Sequence, residues 1–402
     1  MHRRSAIALS LLVLLPCGAG PADAEQRLEH RSLLPDRPPR VATFKLKSEF
    51  SLDIPAGSRQ VRIWLPLPQA DPDSPHPTIR DSKVANLRIY SDHAYSFETD
   101  SEGNKILYVQ LTNPSVTRFE LSYTFDLIRT ETYVGVLKDD RSRPYSEADR
   151  QAYARHLQPT RRIIANSPRV KALAAEIAGG EANPARKLRR IYDWMLANVD
   201  YWVKDPESHA ASPTGDAEWC LDTGAGNCSD FHATFASLAR SQGIATRQTY
   251  GGLLKAELNG QAIDAGYHCW SETYLPGLGW VPTDVAVADL WKGDNLDVGA
   301  LDEQAQVRLR RTAGSNYVAG HNARAVEYYF GNMDERRVLW SFGRDIVLSP
   351  PQAGPPVNNM LRGYFEIDGR VADEWSWANS TLRRRFTYDA VDASVGNKWP
   401  VE

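Results

Sequence analysis

The 402-residue chain has few cysteines, no excess of either charge and no apolar run long enough to span a bilayer, and each shortage removes a class of function. Lys and Arg number 47 against 50 Asp and Glu, a net charge of −3, so the basic footprint that phosphate binding needs is missing and nucleic acid is not an expected partner. The longest apolar stretch near the start, Ser5 to Pro16, falls short of the ~20 residues that cross the hydrocarbon core, and stable membrane insertion is not expected. The four cysteines form no CxxC pair, no HExxH helix occurs, and no Asp/Asn-rich loop has calcium spacing; no metal or other cofactor is expected. No internal repeat is found.

What is present is ordinary globular material, 42% hydrophobic with 11 Trp and 17 Tyr, enough for two or three domains. The opening Met1-His2-Arg3-Arg4, the short apolar run and Ala22-Asp23-Ala24 read as a signal peptide over 1–24, which predicts export, in a bacterium to the periplasm. Pro16 before Cys17 argues against lipidation of that cysteine. Removal of the leader leaves Cys220, Cys228 and Cys269, an odd set that predicts an intermolecular bond or a free, reactive thiol.

Residues 25–42, rich in Arg, Pro and Glu, read as a linker. Apolar residues then alternate with polar ones, at Phe44, Leu46, Phe50, Leu52 and Ile54 and most clearly at Phe119, Leu121, Tyr123, Phe125 and Leu127. This predicts an antiparallel β-sandwich over 43–130. From about residue 145 the period becomes helical. Ser167-Pro168 opens one helix, ended by Gly179-Gly180, and Asn183-Pro184 opens a second whose stripe is Leu188, Ile191, Tyr192, Met195, Leu196 and Val199, with Arg and Lys opposite. Strand patterns return at 338–342 and 364–367, so a β-rich region is expected over 315–395, either as a small unit or packed back on the core.

The chemistry lies between. Gly224-Ala225-Gly226-Asn227-Cys228-Ser229-Asp230 leads into a helix with Phe231, Phe235 and Leu238 on one side, which puts Cys228 at the helix N-terminus. Unpaired N–H groups and the helix dipole there favour thiolate, the nucleophilic form. Further on, Tyr267 to Tyr274 reads as a strand with His268, Trp270 and Glu272 on one face and Cys269 on the other. After Pro276-Gly277-Leu278-Gly279, a returning strand brings Asp284 beside His268. Cys228 as nucleophile, His268 as base and Asp284 as the acid that orients it follow the papain-like order. Cys220 and Cys269 are expected to be structural, and His232 to be an ordinary exposed or core-lining histidine.

Gly226-Asn227-Cys228-Ser229-Asp230, Leu238 to Arg247, His268-Cys269-Trp270-Ser271-Glu272 and Gly279 to Asp284 together resemble the core of the transglutaminase-like superfamily. The resemblance implies an α+β, papain-like core, set here within 145–300, with an N-terminal β-sandwich before it. It implies a thioester on Cys228, formed from a peptide or amide carbonyl and resolved by water or an amine, with a peptide or protein, including cell-envelope peptide, as the substrate. Animal relatives stabilise the oxyanion with an upstream Trp; Trp202, Trp219, Asn227 and Trp270 are the cleft and oxyanion candidates here, beside the Cys228 N–H. The alternative is a non-catalytic envelope scaffold that uses the same fold.

Overall fold

The computed structural model describes residues 37–134, 141–262, 267–294, 301–307, 321–371 and 382–391. The expected leader, and the linker up to residue 36, lie outside them.

Alternation in the N-terminal part becomes two antiparallel sheets. β1 (Val41–Asp53), β3 (Ser82–Ser91) and β6 (Arg118–Thr130) lie in one sheet, with β6 between the others. β2 (Gln60–Pro66), β4 (Ser96–Thr99) and β5 (Lys105–Thr112) lie in the second. The β1–β6 register sets Leu46 opposite Phe125 and Phe50 opposite Leu121, so buried side chains meet on one face. Val61, Ile63 and Leu65 of β2 and Leu107 and Val109 of β5 close the same core. Burial of each such side chain stabilises the fold by about 1.5–3 kcal/mol. β7 (Thr132–Tyr133) then leaves the sheet to pair with β13 (Asn332–Met333).

Next come the helices. α1 (Pro168–Ala178) ends at Gly179, whose φ of 55° is left-handed. α2 (Pro184–Asn198) is capped by Asn183, which accepts from the N–H groups of Ala185 and Arg186, and its expected stripe is buried. One residue departs from the expectation of an exposed basic face: Arg189 is fully buried. Its guanidinium grips Glu327 at 2.6 and 2.7 Å and Asp193 at 3.0 Å, and this pairing is what lets the charge leave water.

Beyond α2, β8 (Asp200–Tyr201) and β9 (Ala225–Gly226) form a short parallel pair, separated in sequence by α3 (Ala217–Thr223). α4 (Cys228–Ser241) packs on a four-stranded sheet of order β12-β11-β10-β14, made of β10 (Thr246–Leu253), β11 (Tyr267–Leu275), β12 (Gly279–Thr283) and β14 (Arg337–Phe342). Every residue of β10 and β14 is buried. Trp340 of β14 meets Phe125 and Phe386 edge-on, at 5.8 and 5.0 Å, and so joins this sheet to the N-terminal core. Gly251 has no alternative, since a Cβ there would lie 2.0 Å from the Val338 carbonyl oxygen, where the β10–β14 ladder slips register. α5 (Val285–Leu290) and α6 (Ala323–Tyr328) follow β12.

The C-terminal strands are spread over the whole molecule. β14 joins the helix-covered sheet; β15 (Tyr364–Ile367) and β16 (Arg370–Val371) extend the sheet of β2; β17 (Leu382–Ala390) pairs with β1 along nine positions, Phe44 to Leu52. Of the two arrangements expected for 315–395, the described part packs back. β15 and β16, of four and two residues, cannot bury a core alone, whereas β1 and β2 each offer an edge for the C-terminal strands to pair with. The mixture of helices with antiparallel sheets is an α+β fold.

Candidate active site

The start of α4 is built by its neighbours in sequence. Asn227 accepts from the N–H groups of Ser229 and Asp230 at 2.8 and 3.1 Å, while the Asp230 carboxylate accepts from the Asn227 N–H at 2.8 Å, a reciprocal capping box. The box occupies the N–H groups on either side and leaves that of Cys228, at the first helical position, beside its own sulfur. Asp230 also accepts from the Ser212 and Asp216 N–H groups at 3.0 and 2.7 Å, and so ties the loop before α3 onto the helix start. Burial pushes its carboxyl up to about 6. Gly226 must be glycine here: a Cβ would stand 2.5 Å from that of Asp230.

β11 and β12 bring the other two groups. Ser271 pairs with Thr283, so the hairpin returns the chain to His268, and Asp284 becomes the N-cap of α5, accepting from the Val287 N–H at 3.0 Å. Nε2 of His268 lies 2.8 Å from Oδ2 of Asp284, which leaves Nδ1 for the Cys228 thiol, its hydrogen-bond partner. The three predicted residues are therefore together and nearly closed off, with Cys228 2% and His268 3% exposed.

The charges in this cluster are coupled. Burial alone would raise the Cys228 thiol, but hydrogen bonds from Cys269 and His268 and the positive charge of His268 hold it well below the ordinary value. Burial would likewise lower His268, yet the Asp284 charge and hydrogen bond, with Cys228 on the other side, push it up to about 9. Asp284 stays ionised despite burial, because His268 and Arg337 face it; Nη1 of Arg337 stands 2.5 Å from Oδ2. The arrangement holds a thiolate–imidazolium pair ready for attack on an electrophilic carbon.

Four further residues surround it that sequence reasoning did not assign to the site. Arg337, on β14, pairs with Asp284 and with Asp334 at 2.7 Å. Tyr201 sits opposite Gly226 in the β8–β9 pair, its hydroxyl hydrogen-bonded to Cys228 and its ring 5.7 Å from that of Phe231. Its backbone N–H is held by Asp289 at 2.9 Å. His232, expected as an ordinary exposed or core-lining histidine, places Nδ1 2.7 Å from the Cys228 carbonyl oxygen and Nε2 3.7 Å from Oδ1 of Asp284. Burial pushes it down to about 4, so it is neutral at ordinary pH. Cys269, expected on the face away from His268 as a structural residue, has its thiol against Cys228, 3.6 Å from the Ser229 hydroxyl and 3.5 Å from Nδ1 of His232. The reason is that α4 packs on β11 over the face that Cys269 presents.

The other predicted cleft residues are placed less centrally. Asn227 is the cap just described. Trp219 is 37% exposed, its indole N–H donating to the Ala210 carbonyl. Trp202 is half-buried in the 3-10 turn after β8. Trp270 is buried behind the triad, 5.2 Å below the Arg337 guanidinium. Cys220 is a buried free thiol beside Thr234, pushed up to about 12 by burial, and it forms no disulfide with Cys269. Among the described residues the one acidic cluster with metal-ligand spacing, Asp200, Asp289 and Asp294, already holds cations: Lys204 is 2.8 Å from Asp200 and Lys292 2.6 Å from Asp294. No helix among them is long and apolar enough to cross a membrane.

Residues 171–285 match the model of the transglutaminase-like superfamily. The chain is 26% identical over 409 residues to an uncharacterised protein of Haemophilus influenzae, covering 96% of this chain and 99% of that one. Among solved structures, a candidate cysteine protease from Cytophaga hutchinsonii aligns with a TM-score of 0.46 and 15% identity, over 87% of this chain and 98% of its own. The periplasmic domain of TgpA from Pseudomonas aeruginosa aligns with a TM-score of 0.31 and 15% identity, over 68% and 91%.

Proposed function

We propose that this chain, which carries a transglutaminase-like core at residues 171–285, is an exported cysteine enzyme that takes an acyl group from a peptide or amide onto Cys228 and passes it to water or an amine. The observation that carries the reading is the buried chain Asp284–His268–Cys228, with the sulfur at a helix N-terminus and the imidazole held by a carboxylate at 2.8 Å.

The steps follow from those atoms. The Cys228 thiolate attacks the carbonyl carbon, and the oxyanion that develops meets the Cys228 N–H and the Tyr201 hydroxyl, which rests on the sulfur until substrate arrives. The His268 imidazolium gives its proton to the leaving amine, and a thioester remains. His268, now neutral, takes a proton from water or an acceptor amine as it attacks, which frees the acid or the new amide and restores the ion pair. Asp284 keeps Nε2 protonated and the ring in place throughout. Arg337 keeps that carboxylate ionised. Hydrolysis of peptide or amide bonds is the outcome we favour, in the cell envelope to which the expected leader directs the chain; amine transfer shares the first half.

Intact mass of the reduced protein, incubated with amide and thioester acyl donors beside Cys228→Ala, tests this. An acyl adduct on the wild type alone is expected. Absence of an adduct on both, with Cys228 no faster toward iodoacetamide than an ordinary thiol, would leave the non-catalytic scaffold.

A further inference from the structure

Cys269 has no part in the reaction as written, yet its position is specific. It is the neighbour of His268 on β11 and fully buried, and its thiol lies 3.6 Å from the hydroxyl of Ser229, the residue after Cys228, and 3.5 Å from Nδ1 of His232, itself 2.7 Å from the Cys228 carbonyl oxygen. Ser229 and His232 belong to the first turns of α4, so the Cys269 thiol is held at the helix start that carries Cys228 by a strand and a helix that pack directly. Two thiols in contact, one of them a thiolate, are the arrangement in which an oxidised sulfur is captured before it oxidises further. Cys220 lies in α3 beside Thr234 and takes no part.

We propose that Cys228 and Cys269 are a redox pair: a hydroperoxide converts them to a reversible disulfide that silences the nucleophile and protects it from overoxidation. The inference rests on reading Cys228 as the reactive thiolate. In the first step the Cys228 sulfur attacks the distal oxygen of the hydroperoxide; the O–O bond breaks, the sulfur becomes a sulfenic acid, and the departing alkoxide or hydroxide takes the His268 proton. In the second the Cys269 sulfur attacks the Cys228 sulfur. The S–O bond breaks, the S–S bond forms, and the hydroxide leaves as water with the Cys269 proton. Two thiols lose two electrons and the hydroperoxide gains them, giving an alcohol (water, from hydrogen peroxide) and one further water. A dithiol reductant reverses the change. The acyl carbonyl and the oxidant compete for one sulfur, so the enzyme works only while the pair is reduced.

The test is a titration of the full chain with hydrogen peroxide, read by intact mass and peptide mapping, for wild type, Cys269→Ser and Cys220→Ala. Wild type and Cys220→Ala are expected to lose about 2 Da through a Cys228–Cys269 link, with at least about tenfold loss of iodoacetamide labelling at Cys228, both restored by dithiothreitol. Cys269→Ser, folded by circular dichroism, is expected to gain about 32 Da on Cys228 instead, and dithiothreitol does not remove it. Wild type gaining that mass as readily as Cys269→Ser, or a link that uses Cys220 or a second chain, overturns the proposal. Because the readouts are mass and labelling, a disulfide that forms in a protein without acyl transfer would sustain the pair and sink only the proposed activity.

Discussion

Strand β11 carries two buried clusters of the same ingredients, a few residues apart. At one end Asp284 binds His268 and Arg337; at the other Glu272 binds His76 at 3.0 Å and Arg247 at 2.7 Å, and also accepts from the Thr78 N–H at 3.1 Å. Both carboxylates are ionised in spite of burial because cations face them, Arg247 beside Glu272 and His268 with Arg337 beside Asp284. The histidines diverge. Burial and the charge of Arg247 lower His76, whereas His268 is pushed up to about 9. Their surroundings differ: at His268 the Asp284 charge dominates, with the Cys228 thiolate on the other side, whereas at His76 burial and the Arg247 charge prevail and the ring packs on Trp280 and Phe342, at 4.5 and 6.2 Å. A carboxylate, a histidine and an arginine thus make a brace between the N-terminal region and the sheet at one end and the proposed proton-transfer site at the other, where the helix delivers Cys228.

The largest effect that distinguishes them is on turnover. Cys228→Ala and His268→Ala are expected to lower acyl transfer by at least about 10⁴-fold, as removal of a nucleophile or its base does, while His76→Ala retains turnover and loses stability instead, as measured by kcat and by urea unfolding. Equal losses for the two histidines would erase the distinction. On stability the clusters should look alike: Arg247→Met and Arg337→Met each leave a buried carboxylate short of its cation and are expected to cost about 3–5 kcal/mol in urea unfolding.

The two histidines also predict opposite pH dependences. The folded pKa of His268 is raised from 6.5 to about 9, so its contribution to stability is complete below 6.5 and is lost as pH rises through about 9. Turnover, which needs the imidazolium, falls in the same window. His76 is lowered from 6.5, so its contribution is present above 6.5 and is lost as pH falls through the folded value. Urea midpoints against pH for His268→Ala and His76→Ala should remove the alkaline and the acid limb respectively. The smallest effect is that of Tyr201→Phe, expected to reduce kcat by about 10²-fold with little change in KM, as loss of one oxyanion donor does.

These same particulars explain how far the sequence could be read. The alternation in β1 and β6 was plain because one face is core and the other is open, and Cys228, His268 and Asp284 were legible because a glycine-rich helix start and a tight hairpin are local signals. β10 and β14 show no alternation because both of their faces are covered. Arg337 and Tyr201 reach the site through strand pairings that only the folded chain makes, and nothing near either residue announces it. His232 did carry a signal, four residues after Cys228 on the same helix face. The place of Cys269 beside the start of α4 is not legible, because strand alternation assigns faces but does not say which face the helix covers. β14 and β15 are visible as strand patterns at 338–342 and 364–367, whereas β17 is not singled out, and which sheets these strands complete is set by open edges far away in sequence.

The central claim is the Cys228–His268 ion pair, and the most direct measurement of it is the pH profile of Cys228 alkylation by iodoacetamide, followed on the Cys228 peptide in wild type and His268→Ala. The account predicts that the wild type is still alkylated at close to its full rate near about pH 6, while His268→Ala reacts only as pH approaches that of an ordinary thiol, about 8.5. A wild-type profile that coincides with the variant's would mean that His268 does not hold the thiolate, and the account would fail.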